Sequence, residues 1–171
     1  MNELPAVILE QDARFPTGMW TGFFLQYWWP GRHTTDLDLT CGGGQLSGRG
    51  SDAVGGYTMQ GSYDVATGKC EWIKHYIGRH SVVYRGINNG NGMWGVWEIR
   101  QLGGLYTDRG GFHLWPKGQD VSAESDDAEQ ALLQVMRKEF GSKAFRAARA
   151  LLVLAGIGGG VALLWNYLLG Y

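Results

Sequence analysis

The chain has 171 residues, 18% of them charged and 44% hydrophobic, and its 15 Lys and Arg against 16 Asp and Glu leave a formal net charge of -1. This size has room for one head domain, and the charge argues against a nucleic-acid binder, which needs a concentrated cationic face. Cys41 and Cys70 are isolated, without CxxC spacing, and read as small buried hydrophobes rather than a metal site or a disulfide.

Residues 1–16 form a lead-in whose start, MNELPAVILEQD, is acidic and whose apolar run is too short for a signal peptide. From residue 17 to 116 glycine and aromatic residues alternate with β-branched and polar ones, and no helical period survives more than a turn or two. The pattern predicts eight strands, Met19 to Trp28, His33 to Cys41, Gln45 to Gly50, Val54 to Tyr63, Lys69 to Ile77, His80 to Ile87, Met93 to Arg100 and Gly111 to Trp115. Turn chemistry separates them, at Gly42-Gly43-Gly44, Ala66-Thr67-Gly68, Gly78-Arg79 and Asn88 to Gly92. Eight short sequential antiparallel strands have an edge problem that closure removes, so the expected fold is mainly β, an eight-stranded antiparallel up-and-down barrel. A sandwich of two sheets is the alternative. Gly22, Gly48, Gly56, Gly61, Gly86 and Gly95 fall inside strands, where strong curvature is the economical cause.

Thr17-Gly18-Met19-Trp20-Thr21 resembles the Gly-x-Trp opening of the first strand in calycins, the lipocalin, fatty-acid-binding and avidin barrels. Leu46-Ser47-Gly48 and the run from Tyr57 to Asp64 are similar to the avidin strands that follow, so the resemblance covers about residues 17 to 100. It implies that Trp20 plugs the closed end of the barrel. Gly22 and Gly50 stand where the avidin pattern would place polar residues for biotin, so the resemblance extends to fold and not to biotin binding.

Strands 69–77 and 80–87 are the richest in chemistry. A period of two puts Trp72, Lys74 and Tyr76 on one face and His80, Val82 and Tyr84 on a face of the next strand, joined by a short turn. Lys74, Tyr76, His80 and Tyr84 could line a ligand pocket. The plainer reading is a cross-strand ladder whose rings cover the lysine stem while its head reaches water. It is preferred because no motif ties a carboxylate or nucleophile to the group.

Elsewhere the four histidines lack metal-ligand spacing, and Asp36 and Asp38 alternate on one face as solvated strand carboxylates do. The glycine run near Gly48 does not join a strand to a helix as a phosphate loop requires. No catalytic residue, metal site or cofactor is therefore assigned. Seven of the eight tryptophans fall in the strand region, more than a small interior can hold, and Trp28 and Trp29, consecutive at a strand end, are candidates for a protein interface.

A polar linker covers 117–125. An amphipathic helix is expected over 126–149, opened by Asp126 and Glu129 at capping-box spacing and carrying Arg137, Lys138, Lys143, Arg146 and Arg149, which suit anionic lipid head groups. Residues 150–171 carry no charge and would be about 33 Å long as a helix, enough to cross a bilayer; a buried helix of a soluble domain is the competing reading. Gly156 and Gly160 have GxxxG spacing for close helix packing, and Trp165 fits an interfacial belt. The basic flank places the head in the cytoplasm as the soluble part of a single-pass, tail-anchored protein. Together these features suggest a non-catalytic accessory subunit of a larger membrane complex, of respiratory or photosynthetic type, docked on integral membrane subunits. The alternative is a membrane-tethered, calycin-like module that binds a small apolar ligand. The long side chains at Trp20, Tyr57, Trp72, Tyr76, Tyr84 and Trp97 are expected to fill the bore and leave no drug-sized cavity.

Overall fold

The computed structural model describes residues 10–26, 29–101, 106–121, 126, 129–130 and 133–134. Their strands are β1 (Gly18–Gln26), β2 (His33–Gly42), β3 (Gln45–Asp52), β4 (Gly55–Tyr63), β5 (Lys69–Tyr76), β6 (Ser81–Asn88), β7 (Met93–Gln101) and β8 (Tyr106–Pro116). Each pairs antiparallel with its sequence neighbours, and β1 pairs with β8, so the sheet closes into a barrel in the order β1 to β8. The ring therefore leaves no free edge, and a two-sheet sandwich is not formed.

Alternation drives the closure. Along β2 and β5 every second residue is buried, which is the period that sends one set of side chains into the bore and the other to solvent. Asp36 and Asp38 belong to the outward set and are exposed. At the β2–β3 turn Gly43 and Gly44 take φ of 57° and 76°, the double left-handed conformation that a two-residue hairpin needs. Most strands differ from the expected bounds by a residue at one end or both, and the departures that matter for the site are larger: β3 runs two residues past Gly50, and β8 begins five residues before Gly111.

The strand glycines have a more specific cause than curvature alone. A Cβ on Gly22, Gly48, Gly61, Gly86 or Gly95 would stand 2.0 to 2.5 Å from a carbonyl oxygen of the adjacent strand. The backbones approach too closely there for any side chain. Gly56 is the exception, with Ile77 Cδ1 at 3.6 Å as the nearest atom.

One end of the barrel is plugged by the lead-in. Phe15 is fully buried and stacks on Tyr63 at 4.3 Å, the Tyr63 hydroxyl donates to the Glu10 carboxylate, and the Glu10 N–H donates to Cys41 O at 3.0 Å. Trp20, fully buried, donates from its indole N–H to Pro16 O at 2.9 Å, and the Asn88 amide donates to Arg14 O. Above this plug Trp72 stacks on Tyr84 at 5.2 Å and meets Phe112 edge-on at 5.0 Å. The middle of the bore is thus filled by rings, leaving a void of about 10 Å³.

The chain leaves β8 through Lys117, whose N–H donates to Met19 O at 2.8 Å. Asp126, Glu129, Gln130, Leu133 and Gln134 have helical backbone. The carboxylates of Asp126 and Glu129 both pair with Arg32, whose guanidinium lies 4.6 Å from the Phe23 ring. Outward-facing Phe23 is consequently buried. The rest of the helix expected to 149, with Arg137, Lys138, Lys143, Arg146 and Arg149, lies outside the described residues, as does the expected span 150–171 with Gly156, Gly160 and Trp165. Among the described residues no helix is long and apolar enough to cross a membrane.

Candidate binding site at the barrel mouth

Among the described residues the end opposite the plug is open, and inward residues at the ends of β1, β3, β5 and β7 and at the starts of β2, β4, β6 and β8 face one another across it. A cavity of about 240 Å³ opens here, lined by Phe24, Gln26, Val54, Tyr76, His80, Val82, Tyr84, Trp97, Ile99 and Asp108. The middle of the bore is filled, and the space at the mouth stays below the drug-sized threshold of about 300 Å³; what remains there has a geometric cause. Trp72 and Phe112 fill the middle layers, and the short side chains of Val54 and Val82 leave the outermost layer underfilled.

Behind the cavity wall lies a charged pair wrapped in rings. Lys74 and Asp52 are both buried, and Lys74 Nζ pairs with Asp52 Oδ2. The same carboxylate accepts the Tyr76 hydroxyl at 2.7 Å through Oδ2 and the Val54 N–H at 2.8 Å through Oδ1. Lys74 Nζ lies 3.7 Å from the Tyr57 ring centre and 4.8 Å from that of Tyr76, within the range of cation–π attraction. The Tyr57 hydroxyl shares a 2.6 Å hydrogen bond with Thr35 Oγ1. Burial pulls the Lys74 ammonium below its ordinary value while the Asp52 hydrogen bond and charge oppose it. Burial is also the main cause that raises the phenols of Tyr57, Tyr76 and Tyr84, so all three stay protonated at neutral pH.

This geometry overturns the ladder reading in one respect: the lysine head does not reach water. Tyr76, His80 and Tyr84 of the expected constellation line the cavity, whereas Lys74 lines the small void beneath it. His80 precedes β6, its ring 5.3 Å from that of Tyr76. Trp29 is 46% exposed, and its ring lies 3.7 Å from His33, whose Nε2 is 2.8 Å from Trp29 O. Trp28 lies outside the described residues.

Two residues of the mouth escaped the sequence reading. Asp52 and Asp108 sit on the ends of β3 and β8 that had been left out of the strands. Extending the period of two from Leu46, Gly48 and Gly50, or backward from Leu114, Phe112 and Gly110, turns each inward. Asp108 is 4% exposed and accepts the Gln26 amide at 2.6 Å and the Arg109 N–H at 2.9 Å. The rim is held by Trp97, whose indole N–H reaches past β8 to Leu25 O at 3.1 Å. Gly110 makes that reach possible, since a Cβ there would stand 2.6 Å from the indole. Among the described residues no group of three or more His, Cys, Asp or Glu is placed to hold a metal ion.

Comparison of the chain with protein-family models, with curated proteins and with solved structures gives no match. The mouth must be read from its own chemistry.

Proposed function

We propose that the protein is a binding module whose barrel mouth takes one small ligand. The observation that carries this reading is the 240 Å³ cavity itself, apolar on most of its wall and with Gln26, Asp108, Tyr76 and His80 supplying polar groups around it. A concave, mostly apolar site with a few convergent polar groups is the usual form of a small-molecule site, and this one is just below the lower end of about 300 Å³ for drug-sized ligands. The calycin-like opening at Thr17 to Thr21 supports the same reading by resemblance. The buried Lys74–Asp52 pair holds the lining residues Tyr76 and Val54 from behind, its charges satisfied within the protein.

The test is native mass spectrometry of the full chain released from membranes in mild detergent. A bound small molecule is expected in the parent and should be lost in Ile99→Trp, which fills the cavity. Equal retention in both, or no bound species and no thermal shift with any small ligand, overturns the reading.

The uncharged segment 150–171 and the basic stretch before it support a tethered setting, with the head on the cytoplasmic side. A cysteine label near Tyr171 should then react from outside intact cells; reaction only after lysis refutes that topology. The glycine pair Gly156 and Gly160 favours a second role, as an accessory subunit packed on integral membrane partners. Gly156→Leu/Gly160→Leu should insert normally and lose copurifying partners, and unchanged copurification removes this role.

A further inference from the structure

We propose that the ligand of the mouth is a small organic cation, an amine on an apolar body, with Asp108 as its counter-ion; this rests on the binding-module reading above. The argument begins with the unequal treatment of two buried carboxylates. Asp52 faces a lysine, a tyrosine hydroxyl and a backbone N–H. Asp108, as deeply buried, receives only neutral donors, the Gln26 amide and its neighbour's N–H, and among the described residues no cation pairs with it. Burial pushes its carboxyl above the ordinary carboxylate value, with both donors opposing. A carboxylate held in an apolar wall without a cation is costly to the fold, and such groups concentrate at functional sites.

The rest of the wall suits the same occupant. Phe24, Tyr76, Tyr84 and Trp97 border the cavity, and rings attract a desolvated ammonium through their faces. The polar edges of Trp97 and Tyr76 are already committed, to Leu25 O and to Asp52, which leaves their rings for contact. Tyr84 is different: its hydroxyl has no hydrogen-bond partner among the described residues, and it borders the cavity as a second acceptor for an N–H. An anionic ligand would meet Asp108 with like charge, and a neutral one would leave it uncompensated. The volume corresponds to about eight water molecules at about 30 Å³ each, which limits the body to a single ring or a short chain.

The experiment uses calorimetric titration of the full chain in mild detergent at neutral pH. Phenethylamine is the probe, with 2-phenylethanol and 3-phenylpropionate as its neutral and anionic counterparts. Phenethylamine should bind at least about tenfold more tightly than the alcohol, as expected for one charge-assisted hydrogen bond, and the acid should not bind. Asp108→Asn should weaken the amine by about tenfold and leave the alcohol unchanged, and Tyr84→Phe, which keeps the ring, should weaken the amine several-fold. No binding of phenethylamine at millimolar concentration overturns the proposal. So does equal affinity for amine and alcohol, or an Asp108→Asn variant that binds the amine like the parent; in those cases the mouth reading still stands. If whatever binds is indifferent to Ile99→Trp, the mouth reading itself fails.

Discussion

The hydroxyl of Tyr57 stands 2.6 Å from where a Cβ would project from Gly50. The glycine on β3 is therefore the hole that receives the phenol of β4, and through it the ring that covers Lys74. Gly50→Ala should displace Tyr57, break its bond to Thr35 and crowd Asp36 O, at a cost of about 2 kcal/mol or more. Gly56→Ala, where the nearest atom is at 3.6 Å, should change stability by no more than about 0.5 kcal/mol. Denaturant unfolding of the two variants checks the contrast; equal losses would mean that the close approach at Gly50 does not set its cost.

The Lys74–Asp52 pair should behave as a unit. Lys74→Met leaves a buried carboxylate without its cation and should cost about 3–5 kcal/mol, with Asp52→Asn similar. The double variant should cost clearly less than the sum, because neither charge is then stranded. A double-mutant cycle on chemical denaturation reads the coupling, and additive losses would show that the two groups act independently.

Asp108 should run opposite to the ordinary carboxylate. Its folded value is raised above 3.8, so the folded state holds the proton more tightly and stability falls as pH rises from about 4 through the raised value. Asp108→Asn removes that loss. The variant should melt higher than the parent at neutral pH, with the difference shrinking toward pH 4, and a variant that melts lower throughout would contradict the unfavourable burial.

Asp12 supplies the reverse sign at the plugged end. The Arg14 hydrogen bond holds its carboxyl at about 2 against an ordinary 3.8, so its contribution is complete above about pH 4 and is lost as pH falls toward 2. Asp12→Asn should lower the melting temperature slightly at pH 6, since the pair is solvent-facing, and the two curves should meet near pH 2. A gap that persists at pH 2 would assign the effect to packing instead of charge.

Cys41 and Cys70 should be silent. Burial raises both thiols to about 12, so neither offers thiolate at neutral pH. A chromogenic disulfide reagent should label neither in the native protein and both after denaturation; native labelling would reveal an opening of the plugged end.

The architecture was legible in the sequence because alternation, turn glycines and the edge problem all point to a closed ring, and these signals are strongest in mid-strand. The site was half legible. Tyr76 and Tyr84 lie within the expected strands and their inward face follows from the period. Asp52 and Asp108 were missed because a carboxylate two positions from a glycine at a strand end reads as part of a turn, yet both continue the inward register of their strands. The mouth of a barrel is built from strand ends, where local pattern is weakest. The lead-in's part in the plug escaped notice for a related reason: Phe15 and Glu10 make their contacts with Tyr63, some fifty positions away, and nothing in the lead-in's own pattern announces them.

The meander also dictates an order of assembly. Seven ladders join strands that follow each other in the chain, and only β1 with β8 joins residues about ninety positions apart. Hairpins of the first kind form quickly from local encounters, whereas the last ladder must wait for the curl to bring its ends together. Trp97 bridges that very join through Leu25 O. The slowest refolding phase is then ring closure. Until it is complete, two bare strand edges face solvent, and a second unfinished curl can add its own strand to either.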